Sequence, residues 1–443
     1  MESRQSGAYD VIVLGLGAMG SAAAYHLASR GARVLGVDAH TPPHPFGSSH
    51  GKTRIYREAY YEAPEYVPLV RRAMALWREL EEASGRTLLT VTGGLCFGAP
   101  DTELVSGTLA SARAHGVPHE YLDAAEVNRR FPAYRLREGQ MAVYEPGAGL
   151  MDPEACVVAH LDLARGHGAE LHYGEPVRRW AAEGDGVRVE TELGTYRAGR
   201  LVVTAGPWAG SLLSDLGVPL EVWRIVHAHF EPDDEERFGL GRCPWAMWEV
   251  PEGFYAAFTA LPGHGVKFGR HDVGESTTPE TIRREIDPEE VAELRERLND
   301  YLPGAGGAVM QTLTCMYTMT PDRHWVIDRH PEHPQVVFAC GFSGHGFKAA
   351  SVVGEVLADL ALEGRTAHDI ALFSHARFER GVVAAGGGTH ALTPRTVPGG
   401  AGTNTGDPCG PPCGRPRGGG PESPAPFTSS QGVSGRARQP HPG

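Results

Sequence analysis

The sequence predicts an α/β protein in which a Rossmann-type dinucleotide-binding domain is assembled from separated stretches of chain and carries an inserted antiparallel-sheet domain. Three observations predict it. Residues 9–38, YDVIVLGLGAMGSAAAYHLASRGARVLGVD, read as strand, glycine-rich turn, helix and second strand ending on an acid. Residues 220–269 are short apolar alternations rich in aromatics, which is antiparallel strand composition. Residues 336–363 then return to the opening pattern of apolar run, glycine-rich loop and helical segment.

In the first stretch each glycine has its own task. Gly15 permits a sharp turn, Gly17 lets bare backbone approach a pyrophosphate, and Gly20 lets the helix pack close to the strands. The helix N-terminus offers N–H groups and a positive dipole end to the phosphates. Asp38 is placed for a ribose hydroxyl, which favours FAD or NAD over NADP.

Composition bounds the rest. A chain of 443 residues with 41% hydrophobic and 21% charged residues is long enough for two or three soluble globular domains. A net charge of −13 argues against nucleic acid or an anionic membrane as partner. The opening MESRQSGAYD lacks the apolar core of a secretory signal, so a cytoplasmic protein is expected. Seven scattered cysteines, an odd number, suit a reducing compartment better than a disulfide framework.

Taken in order, residues 42–51 are proline- and glycine-rich loop, followed by Arg54 and Arg57 in an aromatic-dense segment beside the expected dinucleotide. Helices are expected at 66–82, 104–115, 123–131, 153–166 and 289–301, and strands at 88–97, 170–173 and 187–190. Residues 147–152, GAGLMD, read as a loop. A strand at 201–205 ends in small residues, so Ala205 and Gly206 let backbone approach a ligand closely. Strands at 326–328 and 336–340 precede GFSGHGFK at 341–348 and a helix at 349–363, a second helix N-terminus suited to an anion or cofactor. Beyond 378 the chain is almost devoid of large apolar residues, and 381–443 is expected to be disordered. Cys409 and Cys413 have no neighbouring pair to complete a metal shell, so no metal is expected.

The opening fingerprint, GSSHGKTRIYR at 47–57, GVKFGRH at 265–271, CMYT at 315–318 and GFSGHGFK at 341–348 together resemble the monomeric sarcosine oxidase and N-methyltryptophan oxidase family, over residues 9–378. The resemblance implies a glutathione-reductase-like FAD domain (1–90, 150–219 and 318–380) and an antiparallel-sheet substrate domain (91–149 and 220–317). It implies a monomer that oxidises the C–N bond of secondary amino acids with oxygen, giving hydrogen peroxide, an aldehyde and the amino acid. Cys315 matches the cysteine joined to the flavin. Arg57 and Lys348 match the pair that holds the substrate carboxylate, and Arg54 an arginine beside the flavin ring. Lys267 matches the lysine of oxygen reduction and His271 a substrate-site histidine, with Tyr317, His345 and Tyr255 lining the same cavity. The cofactor set implied further includes His50, Thr53, Val177, Gly344, Gly346 and Phe347.

This chain departs from that pattern where Ser49 and His50 replace a histidine pair, Lys52 an aspartate, and Tyr255–Ala256 two adjacent tyrosines. A ring missing from the pocket wall implies a substrate larger than sarcosine. The rival readings are a primary or D-amino acid oxidase of the same fold, which a flavin-linked cysteine speaks against, and a non-catalytic FAD-binding protein. A pure binder has no use for Arg57, Lys348, Lys267 and Cys315 together.

Overall fold

The structure, a computed structural model, describes residues 9–379. The tail expected to be disordered, with Cys409 and Cys413, lies outside the described residues. The first sheet has a parallel centre of five strands in the order Glu170–Tyr173, Val34–Asp38, Tyr9–Leu14, Thr195–Val203 and Val336–Cys340. Val326–Arg329 runs antiparallel to the last strand, and the hairpin Val177–Glu183 with Gly186–Thr191 hangs from the first half of Thr195–Val203. Val11–Leu14, Leu201–Val203 and Val336–Phe338 are almost entirely inaccessible. Helices pack on one face and the hairpin, with the short turns around residues 209–213, covers the other, so these strands are apolar runs without alternation.

Helix Ala18–Ser29 lies against helices Pro153–Gly166 and Ala350–Glu363. Its approach to the second is close, because a Cβ on Gly354 would lie 2.5 Å from the Ala22 carbonyl carbon. Asp152 starts helix Pro153–Gly166 by accepting a hydrogen bond from the Ala155 N–H at 3.0 Å, with Pro153 in the first turn. The other expected helices occur as Tyr66–Ser84, Glu103–His115, Ala124–Arg130 and Pro288–Tyr301. Among the described residues no helix is long and apolar enough to cross a membrane.

The second sheet has nine strands. Its main path runs Glu275–Thr277, Glu221–Phe230, Gly265–Arg270, Gly253–Leu261, Trp245–Val250, Gly94–Gly98, Met141–Glu145, Glu120–Asp123, with Val309–Met319 also paired to Glu221–Phe230. Register sorts its side chains onto two faces. Met247 is paired with Ala256, Ala256 with Gly269, Lys267 with Phe258, His227 with Gly269, and Cys315 with Ile225, so these share one face. Trp248, Tyr255, Ala257 and Phe268 occupy the other and form a closed core.

The structure corrects two sequence expectations, the first through that alternation. Tyr255 is not a pocket residue: it is 1% exposed, its ring stacks on Phe268 at 5.6 Å, and its hydroxyl donates to the Glu252 carbonyl. Its neighbour Ala256 faces the cavity instead. The loop expected at 147–152 contains a strand, Gly149–Met151, the centre of a small sheet with Arg54–Tyr56 and Leu89–Val91. Strands of three residues carry no readable alternation; partners far away in sequence create them. This small sheet carries Arg54 and leads directly to Arg57.

Candidate active site

One cavity of about 440 Å³ joins the glycine-rich turn to the inner face of the nine-stranded sheet. Of the residues singled out in the sequence, Gly15, Gly17, Asp38, Arg54, Arg57, Val177, Ala205, Gly206, Lys267, His271, Cys315, Tyr317, Gly344, His345, Gly346, Phe347 and Lys348 line it. Gly20, His50, Thr53 and Tyr255 do not.

At the turn, Gly15 has φ +85°, and a Cβ there would lie 2.6 Å from the Thr204 carbonyl oxygen. Gly20 lies beneath it, where a Cβ would fall 1.7 Å from the Gly15 oxygen. Asp38 closes the second strand, accepting from the Leu16 N–H at 2.7 Å and the His40 N–H at 2.8 Å. Ser49 accepts from the Ala18 N–H at 3.0 Å, no side chain caps Gly17, and no acid stands in the helix's first turn. The helix dipole is therefore left for a bound anion. His44 presents a buried ring nitrogen, Nδ1, with no hydrogen-bond partner among the described residues, and lines the cavity beside Asp38. A glycine cradle, an acid and unneutralised helix amides fit the diphosphate and ribose of FAD.

The far end is crowded with cationic groups. Arg54 is pinned by three carbonyls, those of Thr53, Ser48 and His50. The Lys267 ammonium donates to the Thr53 carbonyl at 3.3 Å and sits 4.4 Å from the Phe258 ring centre. Burial, reinforced by Arg54, pushes it down to about 7. His50 lies just behind, its Nδ1–H donating to the Gly47 carbonyl at 3.1 Å. Cys315 is buried in the wall, its Sγ 3.8 Å from the Met316 carbonyl.

The guanidinium of Arg57 is held between the rings of Tyr60 and Tyr61, 4.2 and 4.7 Å from their centres. It donates to the Ala59 carbonyl and, at 2.8 and 2.6 Å, to both oxygens of Glu62. Burial opposes charge on Glu62, yet Arg57 holds its carboxyl down at about 2. Lys348 donates to the Tyr60 hydroxyl at 3.1 Å and the His345 carbonyl at 2.6 Å. Burial, with Arg57 adding to it, pushes that ammonium down to about 7. His271 Nδ1 lies 3.1 Å from the Tyr317 hydroxyl, and burial pushes the imidazole down to about 4, so the ring is neutral. The cavity thus has two adjacent cations for a carboxylate and, beside them, a neutral polar pair.

His345 is not placed for acid–base work. The Trp325 indole N–H donates to its Nδ1 at 3.1 Å, which leaves Nε2 protonated and donating to the Arg323 carbonyl at 3.0 Å. Both nitrogens are used and burial pushes the ring down to about 3. Its contribution to the cavity is the carbonyl that holds Lys348. Sequence reasoning also missed Tyr60, Tyr61 and Glu62, although the run YYE directly after Arg57 was a signal, and Glu145, for which no local signal exists.

The family described as DAO, FAD dependent oxidoreductase, matches residues 10–360. The chain is 48% identical over 378 residues to a monomeric sarcosine oxidase of Streptomyces avermitilis, covering 83% of this chain and 97% of that protein. It is 35% identical over 376 residues to an N-methyl-L-tryptophan oxidase of Salmonella arizonae, covering 84% and 100%. Among solved structures it resembles the open form of NikD, an unusual amino acid oxidase essential for nikkomycin biosynthesis, at TM-score 0.74 and 29% identity over 83% of this chain and 98% of that one. It resembles the L-proline dehydrogenase of P. horikoshii at TM-score 0.74 and 25% identity over 84% and 98%. A glycine cradle that opens onto a cationic pocket thus lies within the residues matched by that family and by these relatives, and the chain belongs to the DAO family of FAD dependent oxidoreductases.

Proposed function

We propose that this protein is an oxidase of secondary amino acids that acts as a monomer in the cytoplasm. The observation that carries the reading is the pairing of Arg57 and Lys348, buried side by side within reach of the neutral His271–Tyr317 pair. Similarity to proteins named for oxidation of sarcosine and N-methyltryptophan supports it. The five described cysteines are free, which agrees with a reducing compartment.

Arg57 and Lys348 would take the substrate carboxylate and so fix the neighbouring carbon–nitrogen bond. Surrounding positive charge disfavours an ammonium, so the amine is held in its oxidisable neutral form, and His271 Nε2 remains free to meet it. FAD held at the glycine cradle would supply the two-electron acceptor for the C–N bond, with oxygen as the final oxidant. Lys267 supplies a positive charge, present below about 7, where oxygen acquires negative charge. The imine that leaves is hydrolysed to an aldehyde and a primary amino acid. Ala256 and Met247 in the wall leave room for a side chain bulkier than that of sarcosine. A panel of N-methyl, cyclic and primary amino acids read by peroxide release tests this: a preference for primary amino acids contradicts it.

Cys315 is the residue we assign to covalent flavin attachment, supported by its place in the cavity wall on the same sheet face as Lys267. Yellow colour is expected to precipitate with acid-denatured wild type and to wash out of Cys315→Ser. Colour that washes out of wild type refutes the attachment.

Lys348 gives the reading a pH signature. Its positive charge is present below about 7 and lost above, so carboxylate binding weakens as pH rises through that value. KM for an N-methyl amino acid is expected to climb by up to about tenfold per unit above neutrality, while an N-methylamine lacking a carboxylate shows no such rise. A flat KM removes Lys348 from the clamp.

A further inference from the structure

We infer that Glu145 is the positioning residue of the carboxylate clamp, setting both Arg57 and Lys348 by gripping the backbone between Arg57 and Tyr60. This rests on the reading of Arg57 and Lys348 given above. Glu145 ends strand Met141–Glu145 on the nine-stranded sheet, paired with Gly94, and is 5% exposed. Its Oε1 accepts from the Glu58 N–H at 2.8 Å and its Oε2 from the Ala59 N–H at 3.0 Å. Among the described residues those two amides are its hydrogen-bond partners and no side-chain cation forms an ion pair with it. A carboxylate buried without a counter-ion is costly, and burial pushes this one up to about 7 against the pull of the two amides.

Position in the chain explains what that cost achieves. The gripped dipeptide has Arg57 immediately before it and Tyr60 immediately after. Arg57 folds back onto the same dipeptide, donating to the Ala59 carbonyl at 3.0 Å. Tyr60 accepts from the Lys348 ammonium at 3.1 Å, and its hydroxyl lies 2.8 Å from the His345 carbonyl that also holds Lys348. A single carboxylate therefore fixes the segment from which one cation projects and against which the other rests. A glutamine would keep one acceptor but turn its amide N–H₂ toward the second backbone N–H, a donor facing a donor.

The test uses propionate, a carboxylate that cannot be oxidised at an amine, titrated onto the flavin-loaded enzyme and read by the flavin spectrum. In Glu145→Gln its Kd is expected to rise about tenfold, with KM for N-methyl amino acids rising in step. In the Arg57→Ala, Glu62→Gln background, which removes one cation and the acid it neutralises, Glu145→Gln should raise the remaining Kd by clearly less than it does in wild type, because only Lys348, resting on Tyr60, is left for it to position. If that background binds propionate as well as wild type, the clamp reading itself fails. If it loses binding but Glu145→Gln alone binds like wild type, only the positioning role is overturned. Glu145→Asp, which keeps the charge and withdraws it by one methylene, provides a second variant with an expected loss of the same sign. Failure of both to fold would make Glu145 a residue of the fold and overturn the inference.

Discussion

Arg57→Ala is expected to lower kcat/KM for N-methyl amino acids by about 10³-fold or more, because it removes a buried charge-assisted carboxylate ligand and the orientation that ligand imposes. It should also destabilise the protein by about 3–5 kcal/mol. Glu62 is buried and bonded to Arg57 through both oxygens, so deleting the arginine strands an unpaired carboxylate. The two effects separate in the double variant with Glu62→Gln, which should regain much of the stability and none of the activity. Thermal unfolding and steady-state kinetics on the three proteins decide it. Activity that returns with stability would mean that Arg57 serves the fold and not the substrate.

Gly20→Ala is the second large effect. The added Cβ would fall 1.7 Å from the Gly15 carbonyl oxygen and 2.6 Å from the Thr204 hydroxyl. Neither the Gly15 backbone nor the short Thr204 side chain, bonded to the Leu14 and Gly15 carbonyls, can swing away as a long side chain would. The helix must back off from the turn, opening the phosphate cradle. A loss of about 3 kcal/mol and purification without flavin are expected, measured by unfolding and by flavin content. Gly166→Ala, at the exposed end of helix Pro153–Gly166 where a Cβ meets nothing within 4 Å, is the control and should be neutral or slightly stabilising. A Gly20→Ala protein that retains flavin and stability would contradict the packing described here.

Much of the cofactor end could be read from sequence because its causes are local. Gly15, Gly17 and Gly20 act over six residues, and the acid at Asp38 ends the next strand. Helix starts were legible for the same reason: Asp123 and Asp152 cap their helices through the amide three residues on. The pocket was less legible because its causes are distant. Tyr255 and Ala256 are adjacent, and only the register with Arg270 and Gly269 decides which of them faces the cavity. The motif around His345 locates that residue, but the direction of its ring is set by Trp325 and the Arg323 carbonyl. Glu145 reaches Glu58 and Ala59 across 87 and 86 residues, so no spacing rule could have found it. The three-residue strand Gly149–Met151 owes its existence to Arg54–Tyr56 and Leu89–Val91, not to its own composition.

Amine oxidation in a cavity suited to a secondary amino acid is the central proposal. The most direct measurement mixes the purified yellow protein with sarcosine or a bulkier N-methyl amino acid under exclusion of air, then admits oxygen. The colour is predicted to bleach before air enters and to return with release of one peroxide for each amine consumed. Bleaching by glycine or D-amino acids, with no response to any N-methyl or cyclic amino acid, would contradict the account.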